Sequence, residues 1–159
     1  MSVRRVRLTV LLLALGVAAP SAAGAQAPAP AGKTLYQRMG GYDVLAKIVD
    51  TFLPKLGAVD PRVPNMISGL AQTSRLRNRQ LIVDQICNLT GGPCVYIGRT
   101  MEQAHQGLQI TDDLWQKSQK AMAETLDANN IREPEKSEFL AVIEKLKGDI
   151  IQKKDASQK

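Results

Sequence analysis

The sequence predicts an all-α protein, and three observations lead to that prediction. Apolar residues recur at spacings of three and four along most of the chain, which is the periodicity of amphipathic helices. Glycine and proline pairs divide these stretches into segments of helical length. No stretch alternates apolar and polar residues over a useful length, so no strand is predicted.

The first 25 residues have the organisation of a signal peptide. Three arginines among the first seven residues precede an apolar run at 8–19, and residues 23–25 are Ala-Gly-Ala, the small-x-small form of a cleavage site. The apolar run is too short to span a bilayer as a stable helix. We therefore predict a secreted or periplasmic protein whose mature chain starts near Gln26. An uncleaved membrane anchor is the alternative.

The mature chain is predicted to hold one domain. Residues 26–33 are rich in Ala and Pro and are expected to form a flexible leader, residues 34–152 a single domain with one core, and residues 153–159 a polar tail. Loss of the three leading arginines lowers the formal net charge from +6 to +3. Basic residues are not interleaved with aromatics. We therefore expect no nucleic-acid partner and no membrane contact after cleavage, while the oligomeric state stays open.

The first helices follow from the glycine and proline positions. A short helix at 35–39 is stopped by Gly40 and Gly41, and an amphipathic helix follows with its apolar residues at 45–56. Pro54 lacks the N–H that the carbonyl four residues back requires, so this helix is expected to bend or end near Leu53. Residues 64–73 show no clear period.

The next helix carries two apolar stripes and ends at Gly-Gly-Pro, residues 91–93. One stripe contains Leu76, Gln80, Val83 and Cys87, and its neighbour contains Ile82, Ile86 and Leu89. A loop then leads to a short helix at 100–106.

Two further helices complete the prediction. Thr111 precedes two aspartates and has the form of an N-cap. The helix that it starts is broken by Asn129 and Asn130. Pro134 suits the first turn of a last helix, whose apolar stripe is Phe139, Val142, Ile143, Leu146 and Ile150.

Cys87 and Cys94 are the two cysteines of the chain and are separated by six residues. An exported protein tolerates disulfides, and closing so short a loop is worth about 2.5 kcal/mol in the chain-entropy model. The sequence leaves open whether they form a bridge or stay as two thiols. Two cysteines and one histidine are too few for a zinc site. Neither cysteine lies in C-x-x-C-H, so covalent c-type haem attachment is not expected.

Two segments carry a resemblance to a known family. LYQRMGGY at 35–42 and, more specifically, GGPCVYIGRTMEQAH at 91–105 resemble the group I truncated haemoglobins. The resemblance covers nearly the whole mature chain. It implies a truncated globin domain at 34–152, folded as a two-over-two helical sandwich, and a non-covalent b-type haem.

The resemblance assigns His105, the single histidine of the chain, as the proximal ligand to the haem iron. Met101 precedes it by four residues on the same helix face, and the ring N–H requires a carbonyl acceptor that fixes its orientation. Arg77, Tyr96 and Arg99 are expected to bind the haem propionates. The alternative is that the two arginines are solvated surface charges.

The sequence departs from the family on the opposite side of the haem. Phe52 is followed by Leu53, where many group I members have a tyrosine that hydrogen-bonds bound oxygen, and Met66 with Ile67 stands where phenylalanines are usual. Leu76 and Gln80 are expected to face the iron, with the Gln80 amide as the polar group that bonds a gas. The alternative is a solvated glutamine.

Three functions agree with these residues. The first is an exported haem protein that binds O2, CO or NO as a carrier, sensor or gas binder. The second is an enzyme, a nitric oxide dioxygenase or pseudo-peroxidase, which requires a separate reductase because the sequence has no flavin or nicotinamide motif. Leu53 argues against the dioxygenase. The third is a haem-free globin-fold interaction module.

Overall fold

The structure, a computed structural model, describes residues 32–151. The predicted signal peptide, most of the leader and the polar tail lie outside the described residues. Those that it describes form eight helices in this order: α1 (Leu35–Arg38), α2 (Tyr42–Val59), α3 (Arg62–Ser68), α4 (Gln72–Leu89), α5 (Met101–His105), α6 (Asp112–Ala128), α7 (Glu135–Glu144) and α8 (Lys147–Ile150).

The long helices pack as two pairs. α2 packs against α4 in one pair, α6 packs against α7 in the other, and the two pairs meet where α2 lies against α6. α1 packs against α7, and the short α5 packs against α8. No strand occurs within residues 32–151. The all-α prediction and the two-over-two arrangement are confirmed.

The core lies between α2, α4 and α6 and is closed by α7. Apolar side chains from each of these helices are fully removed from solvent, which is the main source of stability in a domain of this size. The most deeply buried are Leu45, Ile48, Val49, Val83, Cys87, Leu126 and Phe139. Val83 and Cys87 therefore belong to the stripe of α4 that packs into the core.

The second helix was predicted to bend or end near Leu53, and it does not end there. α2 continues through Pro54 as far as Val59, although a proline inside a helix removes one hydrogen bond and clashes with the carbonyl four residues back. A short helix, α3, follows in the stretch for which no period was seen. The apolar residues in α3 and just after it line a cavity and do not pack into the core, so they stay partly exposed.

Threonine caps start three of the helices. The Thr34 and Thr100 side chains each accept a hydrogen bond from the third residue of the helix and complete a capping box. Thr111 caps α6 as predicted, accepting from the Leu114 N–H at 3.3 Å. The predicted last helix is divided in two, since α7 ends at Glu144 and α8 starts at Lys147.

A disulfide joins Cys87, near the end of α4, to Cys94 in the following loop. Gly92 lies in the turn between them, where a Cβ atom would come within 2.7 Å of the Tyr36 ring and 2.9 Å of the Cys87 carbonyl oxygen. The Asn88 side chain also donates to the Cys94 carbonyl at 3.1 Å. The end of α4 is thus tied to the loop that leads to α5. None of the helices within 32–151 has the length and apolarity needed to cross a membrane.

Candidate functional site

A cavity of about 460 Å³ lies among α2, α3, α4, α5 and α6 and is lined mainly by apolar side chains. This volume falls within the range of pockets that hold cofactors and drug-sized ligands. Six of the residues predicted for the site line it: Phe52, Leu53, Tyr96, Arg99, Met101 and His105.

The α5 side of the cavity, which we call the histidine wall, consists of Met101, Ala104 and His105. The His105 ring is half-buried, and its Nδ1 lies 2.8 Å from the Met101 carbonyl oxygen one turn earlier. A carbonyl can only accept, so Nδ1 is the donor in this contact, and in the neutral tautomer of the ring Nε2 is the nitrogen with the lone pair. The sequence did not name this acceptor, although its i−4 position was the spacing noted for Met101.

The loop before the histidine wall is held by its own side chains. The Tyr96 hydroxyl donates to the Arg99 carbonyl at 2.6 Å. Gly98 lies under this ring, and a Cβ atom there would overlap the Tyr96 hydroxyl and ring carbons. The Tyr-x-Gly part of the motif therefore has a packing cause, because only glycine leaves room for the folded-back tyrosine.

Another side of the cavity is formed by one face of α4, which we call the α4 wall. Its members recur at spacings of three and four, as one face of a helix requires. They are Arg75, Asn78, Arg79, Ile82, Gln85, Ile86 and Leu89, with Leu81 at the edge. The second apolar stripe of this helix therefore lines the cavity.

The residues that line the cavity do not include Leu76, Arg77 or Gln80, in contrast to the prediction. Leu76 is 59% exposed and is not one of the residues that line the cavity. The Gln80 amide instead donates to the Tyr42 hydroxyl and, at 3.0 Å, to Asp84. The physical reason is the position of each residue around the helix. Each of the three lies two positions from a residue of the α4 wall, and residues two positions apart are separated by about 200° around the helix axis.

Tyr42 and Asp84 form a polar contact between α2 and α4 away from the cavity. The Tyr42 hydroxyl donates to the Asp84 carboxylate at 2.9 Å. Burial, together with this hydrogen bond to Asp84, raises the pKa of Tyr42 above its ordinary value. Gln80 joins this contact, so its amide is used in packing the two helices together.

Asn78, Gln85, Arg75 and Arg79 are the polar side chains of the α4 wall, and sequence reasoning missed them. Arg79 forms an ion pair with Asp50 of α2 at 2.5–2.6 Å. Its hydrogen bonds hold the pKa of the Asp50 carboxyl below the ordinary value. The sequence held a signal for two of these four side chains. Asn78 lies four residues before Ile82 and Gln85 three residues after it, so both share the apolar stripe of Ile82.

The remaining walls of the cavity are apolar, or their polar side chains hydrogen-bond to other residues of the protein. Phe52 and Leu53 of α2 line the cavity together with Met66 and Ile67 of the α3 region. No hydroxyl is present at these four positions. This part of the cavity therefore provides shape and an apolar environment, without a hydrogen-bond donor.

Trp115 and Gln119 of α6 line the cavity and hydrogen-bond to the same residue, Glu144. The Trp115 indole N–H donates to Glu144 at 2.9 Å, and the Gln119 amide donates to the same carboxylate oxygen at 3.1 Å. These two bonds tie α6 to the end of α7. The side-chain amide oxygen of Gln119, Oε1, is buried without a protein partner.

Comparison with known proteins identifies the family to which this arrangement belongs. The family model described as bacterial-like globin matches residues 34–152. The group 1 truncated hemoglobin of Mycolicibacterium paratuberculosis (strain ATCC BAA-968 / K-10) is 30% identical over 117 residues, which is 74% of this chain and 83% of that protein. The group 1 truncated hemoglobin of Nostoc commune is 26% identical, covering 76% of this chain and 98% of that protein.

A solved structure agrees with these relatives. The crystal structure of truncated hemoglobin from Tetrahymena pyriformis in its Fe(III) form superimposes with a TM-score of 0.66 at 26% identity, covering 76% of this chain and 100% of that one. The predicted cofactor, b-type haem, is the usual cofactor of truncated haemoglobins. The chain belongs to the bacterial-like globin family, and group 1 truncated haemoglobins are its homologues.

Proposed function

We propose that this chain binds b-type haem in the cavity, with His105 as the proximal ligand, and binds a diatomic gas on the α4 side. The observation that carries the proposal is the 2.8 Å contact between His105 Nδ1 and the Met101 carbonyl. That contact engages Nδ1 of a residue that lines an apolar cavity, and a hydrogen bond of this kind to the other ring nitrogen is what an iron-ligating histidine requires.

The cavity fits a haem in volume and in chemistry. It is lined mainly by apolar side chains, as a porphyrin requires, and it has arginines at its edge for the two propionates. When bound, haem supplies an iron atom that binds small gases and exchanges one electron. The protein supplies orientation, dielectric and access.

Arg75 and Arg99 are the cations best placed to hold the propionates. Both line the cavity and both are exposed. Neither forms an ion pair with any residue of the described part of the chain. Tyr96 has a different role, because its hydroxyl is used to fold the loop onto Arg99.

The residues around the gas position favour less polar ligands over oxygen. Leu53 and Ile82 face the cavity and donate no hydrogen bond. Asn78 and Gln85 are the uncharged amide donors among the α4 residues that line the cavity. Bound oxygen carries partial negative charge, and a missing hydrogen bond costs roughly 1 kcal/mol or more in a dry pocket. Oxygen is therefore held several-fold to tenfold less tightly than in a tyrosine-bearing relative, while CO and NO are less affected.

The role that these properties favour is an exported gas binder, acting as a carrier or sensor. The N-terminal sequence supports export, and the Cys87–Cys94 disulfide is the kind of bond that an oxidising compartment maintains. An apolar gas position suits reversible binding better than turnover, because general acid–base chemistry needs a titratable group near the reacting atoms.

The decisive experiment is the visible absorption spectrum of the mature chain, expressed with haem available, then reduced and exposed to CO. We expect an intense Soret band that shifts when the gas is added. A folded, helical protein that shows no band after incubation with haem would overturn the proposal and would favour a haem-free interaction module.

A further inference from the structure

α3 is a short helix that is weakly attached to the rest of the protein. None of its side chains is buried, and the helix that it packs against is α2. Its apolar residues Val63, Met66 and Ile67 line the cavity and do not join the core. A segment with few buried contacts opens locally at a small cost in free energy.

One side chain of α3 reaches across to the loop that follows the histidine wall. Arg62 Nη1 donates a hydrogen bond to the Leu108 carbonyl at 2.7 Å. Leu108 lies three residues after His105, and its own N–H donates to the His105 carbonyl at 3.1 Å. Arg62 and Leu108 both line the cavity, so this hydrogen bond joins two parts of the cavity wall.

Asp60 fixes the orientation of the Arg62 side chain. The guanidinium donates to the Asp60 carboxylate from Nε at 2.9 Å and from Nη2 at 2.7 Å, a two-point contact that suits its planar shape. The same carboxylate accepts from the Arg62 backbone N–H at 3.0 Å. Nη1 is the end of the guanidinium that remains for Leu108. We call Asp60, Arg62 and Leu108 the Arg62 latch.

The latch makes a connection that no other polar contact within residues 32–151 makes. The other hydrogen bonds of segment 60–71 stay within the segment or reach α2 and the start of α4, whereas the bond from Arg62 reaches a residue beyond α4. The segment starts at Asp60 with φ −128° and ψ 106°, and ends at Ala71 with φ −57° and ψ 151°. Non-helical residues at the ends of a helix are positions where hinges form.

We propose that the Arg62 latch holds α3 closed against the cavity and sets the rate at which haem enters and leaves. The proposal rests on the proposed function, because it takes haem as the ligand of the cavity. Opening breaks the hydrogen bond from Arg62 to Leu108 and turns α3 about residues 60 and 71. The side chains of α3 then leave the cavity wall. A porphyrin is a rigid plate, so the walls must separate before it passes between them.

Arg62 suits this role better than it suits binding a haem propionate. Its guanidinium already donates to Asp60 and Leu108, and a propionate would have to displace the Asp60 carboxylate. Arg75 and Arg99, in contrast, line the cavity without an ion pair to any residue of the described part of the chain. The latch and the propionate contacts are therefore assigned to separate arginines.

The first test is amide hydrogen exchange of the haem-free chain, followed by mass spectrometry. In Arg62→Gln we expect exchange in segment 60–71 to become about tenfold faster, because the closed position loses a hydrogen bond from a charged donor. Exchange in α6, at 112–128, should stay unchanged. This measurement does not require that the chain binds haem.

The second test compares haem entry with haem loss. Stopped-flow mixing of the haem-free chain with CO–haem gives the entry rate, and transfer of ferric haem to excess apomyoglobin gives the rate of loss. Removal of the latch destabilises the closed position of α3 both with and without haem. In Arg62→Gln we therefore expect both rates to rise about tenfold, with little change in their ratio.

The matched control is Arg132→Gln. Arg132 also donates to an aspartate, Asp127, and to a backbone carbonyl, but it does not line the cavity. Its replacement should leave the exchange of segment 60–71 and both haem rates within about twofold of the wild type. Circular dichroism checks that each variant is folded.

Two further variants separate the bridge from the charge. Arg62→Lys keeps the charge but replaces the planar fork by a single ammonium group, so it should behave like Arg62→Gln. Asp60→Asn keeps Arg62 and weakens its orientation, so it should raise the same rates by a smaller factor.

Several outcomes would overturn the latch. Unchanged exchange in segment 60–71 of Arg62→Gln would show that α3 is held by other contacts, and faster exchange throughout the chain would show a general loss of stability. Faster haem loss with an unchanged entry rate would mean that Arg62 contacts the haem itself. Wild-type behaviour of Arg62→Lys would mean that only charge matters. A missing Soret band contradicts the proposed function, whereas the exchange measurement still decides whether Arg62 holds α3.

Discussion

The histidine wall and the α4 wall line the same cavity, yet they are built in contrasting ways. α5 has five residues, is started by a capping box at Thr100, and places one polar contact, between His105 and Met101. α4 has 18 residues and divides its circumference between the core, the cavity and solvent. On the histidine wall, one side chain is proposed to carry the chemistry. On the α4 wall, the register of a long helix decides which side chains meet the ligand.

The largest expected effect comes from breaking the histidine wall. Replacement of His105 by glycine removes the single imidazole of the chain, so we expect loss of haem retention during gel filtration and loss of the native Soret band. Added free imidazole should restore the band, because the space left by the ring accepts it. A His105→Gly protein with the wild-type spectrum would contradict the assignment of the ligand.

The next effect concerns the Cys87–Cys94 disulfide, which ties the end of α4 to the loop that leads to α5. Reduction should lower the free energy of unfolding by about 2.5 kcal/mol, because the unfolded chain regains the entropy of the closed loop. Urea unfolding with and without a thiol reductant measures it. The variant Cys87→Ala/Cys94→Ala is the control, since its stability should not respond to the reductant. An unchanged midpoint in the wild type would show that the link contributes little.

A smaller effect should follow from adding a hydroxyl opposite the histidine. Leu53→Tyr should slow the release of oxygen from the ferrous protein by about tenfold, since one hydrogen bond in a dry pocket is worth about 1.4 kcal/mol. Gln80→Leu is the matched control on α4 and should leave the rate unchanged, because Gln80 lies outside the cavity. Flash photolysis or stopped-flow mixing measures both rates. If instead Gln80→Leu changed the rate and Leu53→Tyr did not, the results would support the position first predicted for Gln80, facing the iron.

The smallest effect is expected from pH, through the Asp50–Arg79 ion pair that joins the α4 wall to α2. The pKa of Asp50 is lowered in the folded protein, so its contribution is complete above the ordinary carboxyl pKa of about 3.9. That contribution is lost as pH falls through the lowered pKa. Asp50→Asn should make the urea midpoint less dependent on pH between 5 and 3. Asp43→Asn, on the same helix, is the control and should behave like the wild type.

The fold was predictable because its signals are local in sequence. Gly40 and Gly41 end α1, Thr111 caps α6, and the loop after α4 ends in Thr100 and the short histidine helix. Each of these signals depends on a few neighbouring residues and requires no knowledge of the partner helix. Pro54 made the end of α2 hard to predict, because a proline inside a helix can end it, kink it or be tolerated, and the sequence does not distinguish these outcomes.

The α4 side of the site was not predictable in the same way. Leu76 and Gln80 share a stripe with Val83 and Cys87, which the structure buries in the core on the inner part of that face. The cavity is lined by the neighbouring stripe, where Asn78 and Ile82 lie. The periodicity shows that two apolar stripes exist, yet which one packs against α2 and which one lines a cavity depends on tertiary contacts.

A chain with one imidazole is also its own spectroscopic reporter. Selective ¹⁵N labelling of histidine would give two ring signals for the whole protein, both from His105. The Nδ1 signal would report the bond to the Met101 carbonyl, and the Nε2 signal would report whatever occupies the cavity beside it. The orientation of the ring and the state of its ligand can thus be followed separately, atom by atom, without a substitution at any position.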